Sequence, residues 1–248
     1  MRQVARFVQI IYVLYAIVMF CLLMLFVIPF ALLTTVVSYK RGGNIIYGAC
    51  KIWAICWYFL LGFRYKEIHE GTHDKKKAYI FVANHSSYLD IPQLMRSMHQ
   101  SVRVLGKAEL SKVPLFGIIY RAAVISVDRA SVTSKTASMR QLTKRLKEGI
   151  SVFIFPEGGF NELRLPLSKF YDGAFKMAIS TQTPIQPVLF LDTAARIPPS
   201  SLFGMTPGRC LTVYLPEIPV TDLTDKDAGA LKEKVFSEME KALIKYKK

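Results

Sequence analysis

The chain has 248 residues and a mass of 28.1 kDa, enough for one domain of ordinary size with a full core. Hydrophobic residues make up 52% and mean hydropathy is +0.27, which excludes a disordered chain and is high for a purely soluble domain. Lys plus Arg number 33 against 18 Asp plus Glu, and the net +15 favours anionic partners: a membrane surface, nucleic acid or a phosphorylated ligand.

Phe7 to Val37 is a run of 31 residues without a charge, and no acidic residue occurs before Glu67. At about 1.5 Å rise per residue such a helix exceeds the roughly 30 Å hydrocarbon core of a bilayer. A secretory signal has an apolar region of only about 7–15 residues. The run therefore predicts a retained membrane helix, with Pro29 kinking it or ending its straight part. A second apolar stretch, Ile45 to Phe63, carries Trp53, Trp57 and Tyr58, residue types that favour the membrane–water interface. Lys51 within it would be costly at a bilayer centre. Two helices that enter and return are expected, or one span with an interfacial helix. The basic segments Arg2–Arg6 and Arg64–Lys77 then point to the cytoplasmic face.

The four cysteines, Cys21, Cys50, Cys56 and Cys210, show no C-x-x-C spacing, and three lie in apolar sequence. A disulfide scaffold and a cysteine zinc site are both disfavoured, and a reduced, cytosol-facing setting fits.

From Arg64 onward short apolar runs alternate with helix-like stretches. Tyr79–Ala83, Val102–Leu105, Val124–Val127, Val152–Phe155, Ile185–Leu191 and Leu211–Leu215 read as buried strands. Helices are predicted near Leu89–His99, Thr133–Glu148 and Gly173–Thr181, and from about Asp225 to the end. In the second, Met139, Leu142 and Leu146 share a face and Gly149 stands where a C-terminal cap belongs. In the last, Leu231, Val235, Met239, Ala242 and Tyr246 form the apolar stripe. The pattern predicts an α/β domain over residues 64–248 with a mainly parallel sheet flanked by helices. Residues 1–63 precede it as a membrane-embedded two-helix anchor.

The strand at Tyr79–Ala83 runs into Asn84-His85-Ser86-Ser87-Tyr88-Leu89-Asp90, then Ile91-Pro92. His85 and Asp90 would be about 140° apart on a regular helix. They can meet only if His85 sits in the turn and Asp90 at the helix start, which Pro92 supports as a first-turn residue. A carboxylate on one imidazole nitrogen orients the ring and leaves the other free to take a proton from an alcohol. On spacing alone, an N-cap aspartate and a polar turn histidine explain the same residues.

Further segments follow in order: Gly106-Lys107-Ala108-Glu109-Leu110 with Pro114 and Gly117, then Val127-Asp128-Arg129. After them come Phe153-Ile154-Phe155-Pro156-Glu157-Gly158 and Pro184-Ile185-Gln186-Pro187-Val188. With Asn84–Asp90, these resemble the four motif blocks of the glycerolipid acyltransferase family, best known from the 1-acyl-sn-glycerol-3-phosphate acyltransferases. Lys169-Phe170-Tyr171-Asp172-Gly173-Ala174 resembles the family segment between the third and fourth blocks, and the likeness spans roughly Arg64 to Leu215.

The resemblance implies transfer of a fatty acyl group from acyl-CoA or acyl-carrier protein to a lysolipid hydroxyl. His85 is then the general base and Asp90 its partner, with no cofactor, metal or acyl-enzyme. Lys107, Arg129, Glu157 and Gly158 are the candidate substrate-binding residues. Lys107 matches the family's phosphate-binding lysine. Glu157 is expected to order its turn, and Gly158 to let the backbone approach the ligand. For Asn84 and Glu109, loop support is expected rather than substrate contact.

The family's third block reads E-G-T-R, whereas this chain has Glu157-Gly158-Gly159-Phe160. Loss of the arginine removes a bidentate phosphate contact. Arg164, Arg129 or Lys169 could supply a cation instead. Lysophosphatidic acid is the first-choice acceptor, and a phosphate-free, amino-acid-containing lysolipid is the rival that Phe160 raises. A non-catalytic lipid-binding protein is a more distant reading. Nucleic acid is not expected as a partner, because the basic residues are dispersed and match no reader motif. The bilayer, a lysolipid and a thioester donor are the expected partners.

Overall fold

The computed structural model describes residues 2–161 and 165–246, with side chains described from Arg6 onward. Arg164, one of the candidate replacement cations, lies outside the described residues, as does the side chain of Arg2.

Seven strands form one sheet. They are β1 (Phe63–His69), β2 (Ile80–Ala83), β3 (Val102–Lys107), β4 (Val124–Val127), β5 (Ser151–Ile154), β6 (Ile185–Leu191) and β7 (Gly208–Tyr214). The spatial order is β1-β7-β6-β2-β5-β3-β4. The five strands from β6 to β4 are parallel, while β7 pairs antiparallel with β6 and parallel with β1. The helices are α1 (Arg2–Leu33), α2 (Tyr39–Leu60), α3 (Asp90–Ser97), α4 (Phe116–Ala123), α5 (Val132–Lys147), α6 (Gly173–Thr181), α7 (Thr193–Arg196) and α8 (Ala228–Tyr246).

The near-continuous apolar strands are covered on both faces, as a parallel sheet requires. Alternation decides which residue goes where. In β2, Ile80 and Val82 join a core built with α5, α6 and α8, whereas Phe81 and Ala83 join one built with α1 to α4. In β5, Val152 and Ile154 take the first side, and Phe153 the second together with Phe155 just beyond the strand. Leu142 and Leu146 on α5, and Leu231, Val235, Met239 and Ala242 on α8, are buried as their spacing predicts. Gly149 ends α5 at φ +75°, a left-handed turn that glycine adopts without a side-chain clash.

Three elements were not foreseen, the shortest being α7, a single helical turn of four residues. β1 alternates Phe63, Tyr65 and Glu67 with Arg64, Lys66 and Ile68, and as an edge strand it carries charges that a central strand would exclude. α4 spans only eight residues, too short for a periodic signal so soon after Pro114.

Among the described residues one helical segment, Arg6–Leu33, is long and apolar enough to cross a membrane. Its inner side packs Val13, Ala16, Met24, Val27 and Ala31 against the rest of the chain, and its outer side exposes Phe7, Leu14, Val18, Leu22 and Leu25. Of the two expected arrangements, one span with a second, packed helix agrees better with the character of α2, which is not among the segments apolar enough to cross. It buries Ile46, Cys50, Trp53 and Trp57, while Lys51 Nζ donates to the Met98 carbonyl at 2.6 Å. That bond engages one of the three ammonium donors within the protein. Ile52, Ile55 and Phe59 remain exposed on the far side of α2. Both N-terminal helices share core clusters with the sheet.

Candidate active site

Parallel strands bring the C-terminal ends of β2, β3, β4, β5 and β6 to one edge of the sheet. The turn after β2 is tied down first. Asn84 donates its side-chain amide to the Phe190 carbonyl at 2.9 Å and accepts the Phe190 N–H at 2.8 Å, a two-way brace onto β6. Ser87 Oγ donates to the Ile197 carbonyl at 2.6 Å and accepts the Leu89 N–H at 3.0 Å.

Within that turn His85 Nδ1 donates to Asp90 Oδ2 at 2.8 Å. The same oxygen accepts the backbone N–H of Ser86 at 2.7 Å and of Ser87 at 2.9 Å. Asp90 opens α3 and is fully buried, yet its side chain reaches back to close the turn rather than capping its own helix. The other oxygen, Oδ1, is buried without a hydrogen-bond partner among the described residues. The His85 ring is therefore the one side chain that this buried carboxylate bonds among the described residues.

A second carboxylate fixes the backbone of the same histidine. Glu157 Oε1 accepts the His85 N–H at 2.8 Å and Oε2 accepts the Ser168 N–H at 2.7 Å. Burial pushes the Glu157 carboxyl above the usual range, against those N–H donors that favour its ionised form. The Asn161 N–H donates to the His85 carbonyl at 2.8 Å. The imidazole stacks on Phe155, with centroids 4.0 Å apart and 18° between planes. Phe160 meets it edge-on at 4.5 Å, and Tyr88 packs against Phe160 at 4.7 Å.

Gly158 turns at φ +71°, and a Cβ there would come within 2.6 Å of the Tyr171 ring. Arg129, just beyond β4, donates to the Gly158 carbonyl. Direct contacts thus link His85, Asp90, Glu157, Gly158 and Arg129. Lys107 shares the same sheet edge at the end of β3, where its ammonium lies 3.6 Å from Glu109 and is half-exposed. The sequence reading did not single out Phe155, Tyr88, Asn161 or Ser168. Phe155 was visible as the last apolar residue before the Pro156-Glu157 turn, whereas Ser168 and Asn161 act through backbone groups that leave no residue-type signal.

A mostly parallel α/β sheet thus carries, at the C-terminal edge of its strands, a turn histidine bonded to a buried carboxylate, an arrangement suited to general-base chemistry. Residues 66–191 match the family model Acyltransferase, and the chain belongs to that family. It is an acyltransferase enzyme. It is 31% identical over 193 residues to an uncharacterized acyltransferase of Schizosaccharomyces pombe, covering 75% of this chain and 67% of that one. A 1-acyl-sn-glycerol-3-phosphate acyltransferase of Haemophilus influenzae is 29% identical over 220 residues, covering 84% and 88%. The crystal structure of a 1-acyl-sn-glycerophosphate acyltransferase from Thermotoga maritima superposes with a TM-score of 0.76 at 19% identity, covering 100% of this chain and 98% of that one, which establishes the shared fold.

Proposed function

We propose that this enzyme moves a fatty acyl group from a thioester, acyl-CoA or acyl-carrier protein, to the free hydroxyl of a membrane lysolipid, with lysophosphatidic acid as first acceptor and phosphatidic acid as product. The observation that carries this reading is the 2.8 Å bond between His85 Nδ1 and the buried Asp90 carboxylate. With Nδ1 engaged as donor, Nε2 is the nitrogen that accepts a proton. The acceptor hydroxyl gives its proton to Nε2 as its oxygen attacks the thioester carbonyl. The C–S bond then breaks, and the thiolate takes the proton back from the imidazolium. Asp90 stabilises the cation formed between those steps, and Phe155 holds the ring plane. Arg129, which donates to the carbonyl of the Gly158 turn, is the cation proposed to meet an acceptor phosphate.

The site lies on the sheet face covered by α1 to α4, the same layer that carries the exposed apolar side of α1. Tyr88 and Ile91 flank Asp90 and are exposed. This supports a catalytic edge held at the lipid surface, so that a lysolipid presents its head group without leaving the leaflet. The cytoplasmic face is the side proposed, from the basic flanks of the apolar helices.

The test is acyl transfer by the full chain in lipid vesicles, with both donor classes and with products read by mass spectrometry. Phosphatidic acid formed by the wild type and absent with His85→Ala supports the reading; transfer that persists in His85→Ala defeats it. A second acceptor class has its own observation. Phe160, in contact with His85, stands at the motif position where the resembled third block has arginine. Product from a phosphate-free, amino-acid-containing lysolipid alone would retain the mechanism and change the acceptor.

A further inference from the structure

We propose that Glu67, His69 and His99 form a binding site for a divalent transition ion of the zinc type, joining the edge strand β1 to the turn after α3. Among the described residues these three side chains place their ligand atoms within 4.8 Å of one another. His69 Nε2 lies 3.2 Å from Glu67 Oε1, and His99 Nε2 lies 2.9 Å from the same oxygen. A tetrahedral ion with bonds of about 2.0–2.1 Å separates neighbouring ligand atoms by about 3.3 Å. The two spacings to Glu67 Oε1 are close to that edge, and all the ligand atoms lie within 4.8 Å, so side-chain rotation that draws the two imidazole nitrogens to the tetrahedral spacing would complete the site.

The fold builds this arrangement from two directions. Strand alternation sets Tyr65, Glu67 and His69 on one face of β1, while His99 arrives two residues after α3 ends at Ser97. The rings are oriented by packing. His69 stacks on Tyr214 with centroids 4.6 Å apart and 1° between planes, and His99 meets the same ring at 5.8 Å. The Tyr214 hydroxyl donates to the Ser97 carbonyl at 2.8 Å, fixing that ring to the end of α3. Tyr65 donates to Glu67 Oε2 at 2.7 Å, leaving Oε1 to the histidines. A tyrosine that orients a ligating carboxylate is the outer support metal sites use.

The donor set selects the ion. Two imidazoles and one carboxylate suit zinc and its neighbours, whereas magnesium and calcium prefer an all-oxygen shell. Lys51 and Lys75 put positive charge near His99, so general attraction to cations is weak and affinity must come from the nitrogen bonds. β1 runs antiparallel to β2, and its His69 end therefore lies at the sheet edge opposite His85. The ion would take no part in acyl transfer. It would clamp the strand that follows the N-terminal helices onto α3, whose first residue is Asp90.

The experiment is metal binding by the full chain in detergent after chelator treatment, read by calorimetry and by thermal unfolding. Zinc should bind at one ion per chain and raise the unfolding temperature, and magnesium should do neither. Glu67→Gln and His99→Ala should each weaken zinc at least tenfold, and Tyr65→Phe about 10–100-fold as an outer support. His85→Ala should bind as the wild type does. Cobalt in the wild-type protein should give the strong visible absorption of a tetrahedral centre, a readout that needs no variant to fold. No zinc binding, equal binding in a His69→Ala/His99→Ala double variant, or a cobalt spectrum like that of the free aqueous ion would each overturn the proposal. None of these readings depends on acyl transfer.

Discussion

Glu157 accepts the backbone N–H of His85 at 2.8 Å, so the turn after β5 sets the height of a histidine that belongs to the turn after β2. Asp90 fixes the ring of the same residue through Nδ1. The two carboxylates hold one histidine by two different groups, and their losses should differ in kind.

Removing the ring or its partner should stop chemistry without unfolding the protein. His85→Ala and Asp90→Asn should each lower kcat at least about 100-fold, the scale of a positioned general base. Asp90→Asn keeps an oxygen for the Ser86 and Ser87 N–H groups, so its far-ultraviolet circular dichroism should match the wild type. Activity within a fewfold of wild type in Asp90→Asn would remove the aspartate from the mechanism.

Glu157 should act on stability first. Glu157→Ala strands the His85 and Ser168 N–H groups, at about 1–3 kcal/mol for each that stays dry. Thermal unfolding measures this directly. The sign of the pH effect follows from burial. The folded carboxyl titrates above its unfolded value, so the folded state binds the extra proton. Its stabilising share is complete below the unfolded value, about 4.3 for a free glutamate, and is lost as pH rises through the raised folded value. The stability of wild type relative to Glu157→Gln should therefore fall across that window. A difference that rises with pH there would contradict the burial effect.

Phe160 should select the acceptor. Phe160→Arg replaces an aromatic edge against His85 with a guanidinium that can bond phosphate, worth about 1.5–3 kcal/mol for a charged hydrogen bond. The ratio of kcat/KM for lysophosphatidic acid over a phosphate-free lysolipid should rise at least tenfold. An unchanged ratio would show that selection occurs elsewhere.

Gly158 should not accept a side chain. Gly158→Ala must hold φ near +71° and meet the Tyr171 ring. The backbone part should cost about 1 kcal/mol. Tyr171→Ala added to it should recover only the steric part, so the double variant should unfold between the single Gly158→Ala variant and Tyr171→Ala alone. Full recovery would mean that the turn itself is not strained by the substitution.

Local pattern was sufficient wherever one periodicity decided burial. The strands from β2 to β6, the α5 and α8 stripes, and the cap at Gly149 were legible because each needs only its own neighbours in sequence. The His85–Asp90 pair was legible as a spacing, and the order of the motif blocks made it specific. β1 was not, because its charges are compatible with a strand only at a sheet edge, and edge position is a property of the whole sheet.

The sequence by itself determined the class of this protein: an apolar N-terminal helix, an α/β domain, and a histidine and aspartate five residues apart in a polar turn. Tertiary structure alone decided what supports that turn. β2 lies between β5 and β6, so the groups that brace it, Glu157 and Phe190, come from 72 and 106 residues away. Glu67 and His99 meet across 32 residues in the same manner. Sequence periodicity records which way a side chain points, but the partner it meets is set by which strand the sheet places beside it, and that placement is fixed by packing of the whole chain.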